Sequence, residues 1–283
     1  MSKSTDSTKK SAKPNKLAGI LRIIAGKPAI KNYTSAVIVA AGKSTRMGDG
    51  VSKQFMELDG IPVVVRAMQA YEACECIQEI IVVAKEDEMS LYEGLKEAYG
   101  ITKLTQVVKG GETRQESARN GSDAVSKDAQ YIAIADAARC LTTPAEISKV
   151  CHAAYQWEAA SAGTKVHDTV KVVDTSAFVD YTPERPYVWL AQTPQVFRVP
   201  IYRAAAYACR DENFQGSDDN SLVEHLHIPV KMVSTHAENI KITEPYDLIF
   251  AHAVLEARAQ AEAEGKTDPR DEPDPEPEGY TKA

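Results

Sequence analysis

Between residues 36 and 155 the chain alternates short apolar runs with stretches whose apolar residues recur at helical spacing. Ala36–Ala40, Ile80–Ala84, Thr105–Val108 and Tyr131–Ala135 read as short buried strands. Pro62–Glu72, Asp87–Tyr99, Thr113–Ala124 and Pro144–Tyr155 carry the spacing of helices with one apolar face. This βαβα rhythm predicts an α/β, Rossmann-like fold: a mostly parallel, twisted sheet with helices on both faces. Ligands of such sheets bind beyond the carboxyl ends of the strands. The loops at those ends, Gly42–Lys53, Gly110–Ser117 and Asp136–Arg139, hold the residues with the most chemistry to offer.

After residue 160 the pattern changes. Ala160–Lys165 reads as another strand, and two β-rich runs, His167–Val173 and Tyr187–Gln192, flank a polar connection, Asp174–Pro186. We expect a projecting β-arm over about 166–192, since an excursion of that length is usually functional or an oligomer contact. Helices follow at Pro200–Arg210 and Asp218–Leu226, then a strand at Val230–Val233 and a final helix at Pro245–Ala261. The expected body is therefore a single domain over residues 35–262. Residues 1–34, rich in Ser, Thr and Lys, read as a disordered basic arm; the same composition also fits an organelle transit peptide. Residues 263–283 read as a disordered, acidic, Pro-rich tail with too little apolar surface to offset its ordering entropy.

Composition narrows the function. In a chain of 283 residues, 43% apolar content suffices for a substantial core. A net charge of −7 argues against general nucleic-acid binding, which needs a basic surface. No apolar run approaches the ~20 residues that span a bilayer. The five cysteines are scattered without zinc-ligand spacing, which points to reduced thiols and a cytoplasmic setting. Cys74 and Cys76 are expected to straddle a helix end.

The segment Ala36–Lys53 is the most telling. A strand stops at Ala40-Ala41-Gly42, a tight loop follows, and two cations, Arg46 and Lys53, come after it. Small residues let backbone N–H groups approach a phosphate, and the two cations can clamp a polyphosphate as its charge develops. A P-loop needs a glycine where Val37 stands, and a dinucleotide fingerprint needs one where Ser44 stands, so both fail. Gly110–Ser117 puts two glycines after a strand and opens a helix, with Glu112 placed in or near its first turn; a plain capped helix start is the alternative. Asp136 at a strand end, with Arg139 three residues on, suits a ribose hydroxyl, a metal-bound phosphate or an acceptor; a surface ion pair is the alternative. Asp168–Lys171, Arg185, Gln192–Gln195 and Asn239–Thr243 add cations and hydroxyls, suggesting a second, anionic substrate and hence nucleotidyl transfer.

The series AAGKSTRMG…KQF, GGETRQES, DAAR, DTVK, QTPQVF and NIKIT, in that order over roughly residues 35–260, resembles the 2-C-methyl-D-erythritol 4-phosphate cytidylyltransferases of the non-mevalonate isoprenoid pathway. The resemblance implies a nucleotidyltransferase fold and a homodimer whose arms reach the neighbouring site. It implies transfer of CMP from CTP to 2-C-methyl-D-erythritol 4-phosphate with release of pyrophosphate. Mg²⁺ would be held mainly by the CTP phosphates, with no dedicated protein metal site. By matching motif, Ala40, Ala41, Gly42, Arg46 and Lys53 would hold the CTP phosphates. Gly111, Glu112, Ser117, Asp136 and Ala137 would surround cytosine and ribose. Asp136, Arg139, Thr169, Arg185, Thr193 and Lys241 would hold the acceptor, Thr169 and Arg185 from the partner subunit. Arg46, Lys53, Arg185 and Lys241 would be the catalytic cations.

The chain departs from the family pattern at Ala135, where histidine is common, at Cys140, where proline is usual, at Ser44 for glycine and at Glu112 for aspartate. Ribitol 5-phosphate cytidylyltransferases share the phosphate and Asn-Ile-Lys-Ile-Thr motifs; Asp168–Lys171, with Arg185 ahead of Trp189, favours methylerythritol phosphate. A non-catalytic binding or scaffold domain on the same fold is a remoter alternative.

Overall fold

The structure is a computed structural model that describes residues 31–42 and 52–266. Its centre is β1 (Thr34–Val39), which pairs in parallel with β4 (Ile77–Ala84) on one side and β6 (Tyr131–Asp136) on the other. β5 (Leu104–Lys109) continues the sheet beyond β4, again in parallel. The seven-stranded order is β11-β7-β10-β6-β1-β4-β5, with β7 at Ala159–Lys165, β10 at Trp189–Arg198 and β11 at Lys231–Ser234. β10 alone runs against its neighbours β6 and β7. A two-stranded ribbon, β2 (Glu57–Leu58) with β3 (Ile61–Pro62), lies outside this sheet.

Side chains that alternate along the strands divide the core between two faces. Ala36, Ile38 and Ala40, with Ile80 and Val82, meet α1 (Val63–Ala73) and α4 (Pro144–Trp157) through Met68, Tyr71, Ile147 and Val150. Val37, with Ile81, Val83 and Ile134, meets α3 (Arg114–Ala124), α5 (Val199–Asp211) and α6 (Asp219–His225) through Ala118, Tyr202, Ala205 and Leu222. α2 (Leu91–Tyr99) adds Tyr92 to the first face. α7 (Pro245–Ala263) buries Ala251 in a smaller cluster with Leu58, Ala138, Leu141 and Ile242. Glu79 ties the amino-terminal half of the sheet together: its carboxylate accepts from Ser35 Oγ at 2.6 Å, Thr105 Oγ1 at 2.9 Å and Ser126 N at 2.9 Å.

Most expected elements are present with small shifts at their ends. Asp87–Tyr99 is instead a 3₁₀ turn over Glu86–Glu88 followed by α2, because three consecutive acids precede the first apolar helical residue. The arm differs more. Within His167–Val173 only Val172–Val173 is strand (β8), and its partner, β9 (Val179–Tyr181), falls inside the stretch expected to be a polar connection. The Asp174 carboxylate closes that hairpin by accepting from the N–H groups of Ser176 and Phe178. Tyr187–Gln192 is not the end of an arm strand either. Trp189 starts β10, which carries the chain back through the middle of the sheet to Arg198. No helix among the described residues is long and apolar enough to cross a membrane.

Replacing Glu79 with alanine strips three donors of a buried acceptor, so Glu79→Ala is expected to lower stability by about 2–4 kcal/mol in urea unfolding. An unchanged midpoint would show that those donors find other partners.

Candidate active site

Hydrogen bonds continue the strand ladders past their carboxyl ends and draw three loops together. Ala40 N donates to Val83 O, Gly110 N to Ala84 O and Ala137 N to Val39 O. The result is a cradle of about 310 Å³ that brings together Ala40, Ala41, Gly42, Lys53, Gly111, Glu112, Ser117, Asp136, Ala137 and Lys241. All ten are among the positions picked from the sequence. Thr193 and Arg139 adjoin it through Asp136: Thr193 Oγ1 accepts from Asp136 N at 3.1 Å, and Arg139 Nε lies 4.0 Å from Asp136 Oδ2. Arg46 and Ser44 lie outside the described residues. Thr169 and Arg185 are exposed on the arm and are not among the residues lining the cradle, and Arg185 Nη1 donates to His167 O at 2.9 Å.

Packing shows which glycine is needed here. A Cβ on Gly110 would stand 2.3 Å from Ala41 Cβ, so the first and second loops touch only because residue 110 has none. A Cβ on Gly42 would meet no protein atom within 4 Å. Gln54, 2% exposed, anchors the first loop by donating to Ala40 O and to Glu88 Oε2, both at 2.8 Å, and so fixes where the neighbouring Lys53 begins.

Asp136 is the electrostatic centre. It is buried at the end of β6, and Arg114 Nε lies 3.0 Å from Oδ1 while Lys241 Nζ lies 2.8 Å from Oδ2. Burial opposes its ionisation, but Arg114, then Lys241 and Arg139, outweigh that cost and hold its carboxyl well below the usual carboxylate range. The surface-pair alternative therefore fails, since Asp136 serves a buried cluster. Arg114 is held in turn by Asp219, fully buried at the start of α6, with Nη1 2.7 Å from Oδ2. The Tyr202 hydroxyl donates to the other oxygen of Asp219 at 2.8 Å. Burial works against the charge of Arg114, but Asp219 and Asp136 reverse this and raise its pKa. Arg139 goes the other way, its pKa lowered by burial despite Asp136, and its buried Nε has no hydrogen-bond partner among the described residues.

Glu112 lies near the first turn as expected, one residue ahead of the N-cap. Thr113 is the N-cap, its side chain accepting from Glu116 N, so the capped-start reading holds for that residue. The Ser117 hydroxyl is committed within the protein: it donates to Thr113 O at 2.9 Å and accepts from Gly111 N at 3.1 Å, shaping the loop. Three contributors were not singled out from the sequence. Arg114 and Gln54 stood inside quoted motifs without a role. Asn239, fully buried, joins its own loop to β10 and to the loop after β6: Nδ2 donates to Thr193 O, Oδ1 accepts from Thr142 Oγ1, and its carbonyl accepts from Arg139 Nη1 at 2.6 Å.

The arrangement can bind anions from two directions, with Lys53 beside the first loop and Arg139 and Lys241 beyond Asp136. The described residues hold no group of three or more His, Cys, Asp or Glu placed to bind a metal.

Residues 34–257 match the family model for 2-C-methyl-D-erythritol 4-phosphate cytidylyltransferase. The enzyme of that name from Caldanaerobacter subterraneus subsp. tengcongensis is 43% identical over 222 residues, covering 78% of this chain and 98% of its own. A crystal structure of 4-diphosphocytidyl-2C-methyl-D-erythritol synthase from Anaerococcus prevotii superposes with a TM-score of 0.72 at 30% identity, covering 80% of this chain and 99% of its own. A 2-C-methyl-D-erythritol 4-phosphate cytidylyltransferase from Thermus thermophilus superposes with a TM-score of 0.64 at 26% identity, covering 79% and 99%.

The sign of the Asp136 effect fixes a pH window. A carboxyl held low in the folded state adds stability above its unfolded pKa of about 3.9, and that stability is lost as pH falls toward the folded value. Asp136→Asn should therefore be less stable than wild type near neutrality, with the gap shrinking below about pH 4. A gap independent of pH in urea titrations between pH 3 and 7 would assign the loss to packing.

Proposed function

The chain belongs to the 2-C-methyl-D-erythritol 4-phosphate cytidylyltransferase family, and on that footing we propose that its residues hold CTP and 2-C-methyl-D-erythritol 4-phosphate for direct transfer. CMP passes from CTP to the acceptor phosphate, giving 4-CDP-2-C-methyl-D-erythritol and pyrophosphate. The observation that carries this reading is one cradle lined by the strand ends of β1, β5 and β6 together with Lys53 and Lys241.

In this reading the CTP phosphates lie over Ala40, Ala41 and Gly42, with Lys53 and Arg46 as their cations. Cytosine and ribose lie toward Gly111, Glu112, Asp136 and Ala137, on the loop that Ser117 shapes. The acceptor phosphate is met by Arg139, Lys241 and Thr193, and by the partner subunit's Thr169 and Arg185. An acceptor phosphate is already anionic at neutral pH, so no side chain has to remove a proton from it. What the protein supplies is alignment of attacking and leaving oxygens and positive charge where negative charge grows. Lys53 serves the phosphorus under attack and the pyrophosphate leaving it. Lys241 serves the incoming phosphate, exchanging part of its contact with Asp136 for the substrate.

Mg²⁺ fits the cradle in one way. Asp136 is the carboxylate near the phosphate-binding loop, and its oxygens are already met by Arg114 and Lys241. That leaves room for a cation bound mainly through substrate phosphates, the usual manner for Mg²⁺, which would neutralise charge across them.

Homodimerisation through the arm is supported by its uncovered apolar residues: Phe178, Val179, Tyr181, Tyr187 and Leu190 are all exposed. α7 adds exposed Tyr246, Ile249 and Phe250. Five free cysteines agree with a reducing, cytoplasmic setting.

Pyrophosphate release should be fastest with CTP and methylerythritol phosphate when four nucleoside triphosphates are paired with that acceptor and with ribitol 5-phosphate; preference for ribitol phosphate would reassign the substrate. Lys53→Ala should lower kcat by about 10²-fold or more with the fold intact. Homodimers of Lys53→Ala and of Arg185→Ala, each nearly inactive, should regain activity when mixed under conditions of proven subunit exchange. No recovery would confine each site to one chain.

A further inference from the structure

At the end of the sheet opposite the cradle, three thiols, an imidazole and a hydroxyl meet. Cys74 caps the carboxyl end of α1, and Cys76 immediately precedes β4. Ser148, Cys151, His152 and Tyr155 lie on α4 at spacings of three and four residues, which places them on one side of the helix. Cys76 Sγ is 3.4 Å from Ser148 Oγ and 3.7 Å from His152 Nε2. Cys151 sits on α4 between those two contacts, and Cys76 packs against the core cluster that holds both Cys151 and Cys74. The His152 ring stands edge-on to Tyr155 at 5.7 Å, and the Tyr155 hydroxyl pairs with Thr34 Oγ1 at 2.8 Å, which fixes the imidazole's approach. Cys74 and Cys151 are buried, while Cys76 is half-buried and His152 exposed. One thiol of the cluster therefore faces solvent beside a base, with a buried thiol on the same side of α4.

We propose that Cys76 is a peroxide-reactive thiol and that Cys151 is its resolving partner, a modification site separate from the transfer reaction. The Cys76 sulfur attacks one oxygen of a hydroperoxide and the O–O bond breaks. Water or an alcohol leaves with a proton, and Cys76 becomes a sulfenic acid. The Cys151 sulfur then attacks Cys76. The S–S bond forms, the S–O bond breaks, and the hydroxide leaves as water with the Cys151 proton. Two thiols have lost two electrons to one hydroperoxide. His152, through Nε2, holds the proton that Cys76 gives up.

The roles are asymmetric. Hydrogen bonds from Cys151 and Cys74 act against burial, and with Ser148 and the charge of His152 they hold the Cys76 thiol well below the ordinary cysteine range. The same contact with Cys76, and then burial, pushes Cys151 and Cys74 up. One sulfur is thus poised to attack while the other two keep their protons. Cys140, pushed up to about 11 by burial, and Cys209, also raised by burial, serve as internal controls. In a reducing compartment such a bridge is transient, formed under oxidant and removed by cellular thiols.

The test uses the full chain with one equivalent of hydrogen peroxide near neutral pH. Wild type should lose two hydrogens in intact mass, yield a Cys76–Cys151 linked peptide, and recover with dithiothreitol. Cys151→Ser should instead accumulate a dimedone adduct on Cys76. Because Cys151 is buried and its variant can misfold, surface variant His152→Ala provides a second readout. It should slow iodoacetamide labelling of Cys76 about tenfold, leaving Cys140 and Cys209 labelling and cytidylyl transfer unchanged. A first adduct on another cysteine, a Cys74–Cys76 bridge, or Cys76 labelling indifferent to His152→Ala would overturn the assignment.

Discussion

One buried anion organises the site. Asp136 closes β6 with its carboxylate among Arg114, Lys241 and Arg139, at 3.0, 2.8 and 4.0 Å. A lone carboxylate at that depth would give up its charge, and three cations without it would repel one another. Each makes the others tolerable, so the cluster exists as a unit or not at all. Its members come from β6 and the loop after it, from α3 and from the segment after β11. The electrostatic condition is therefore also a geometric one, requiring three distant parts of the chain to close on one point.

The backbone supports that closure with contacts equally specific. Asn239 cross-links the loops after β6 and β11 to β10, and the Thr193 hydroxyl accepts the Asp136 N–H. Asp219 holds Arg114 from below, and the Gln195 carboxamide oxygen receives the Asp219 and Asn220 N–H groups at the start of α6. Charged groups held this way need little rearrangement when an anion arrives, which is the condition under which electrostatic stabilisation is most effective. In the proposed reading, an incoming phosphate would compete with Asp136 for cations already fixed in place.

Much of this was legible in the sequence because it is local. Alternation along β1, β4 and β6 is strict enough to assign the two faces of the sheet, and the loops rich in Gly, Asp and Arg fall at strand ends by counting alone. What was hidden is what depends on partners far away in the chain. Arg114 reads as one more polar residue of α3, and only the fold shows that Asp219, 105 positions on, completes its salt bridge. Gly42, Gly110 and Gly111 all read as loop glycines, yet a Cβ on Gly42 meets nothing while one on Gly110 collides with Ala41 from another loop. The arm misled for a related reason. β8 and β9 have two and three residues, too few for a period-two pattern, and Pro194 reads as a strand breaker where β10 passes it at a shift in register.

The proposed role of the arm bears on why the candidate cations are scattered so widely. Within one chain, Arg185 is exposed, donates to His167 O in its own arm and is not among the residues lining the cradle. Arg114 and Lys241 are partly neutralised by Asp136, while a nucleoside triphosphate and a sugar-alcohol phosphate together bring far more negative charge than one aspartate. A cradle built from a single chain would leave part of that charge to solvent, at the place where transfer needs it fixed. In the proposed dimer, an arm with uncovered apolar residues and an exposed guanidinium would answer both needs. In the dimer we propose, packing Phe178, Tyr181 and Tyr187 against a second copy would remove exposed apolar surface, and the same contact would deliver Arg185 to the neighbouring cradle. In the proposed dimer, assembly and charge neutralisation are one event, and the acceptor subsite is complete only where two chains meet.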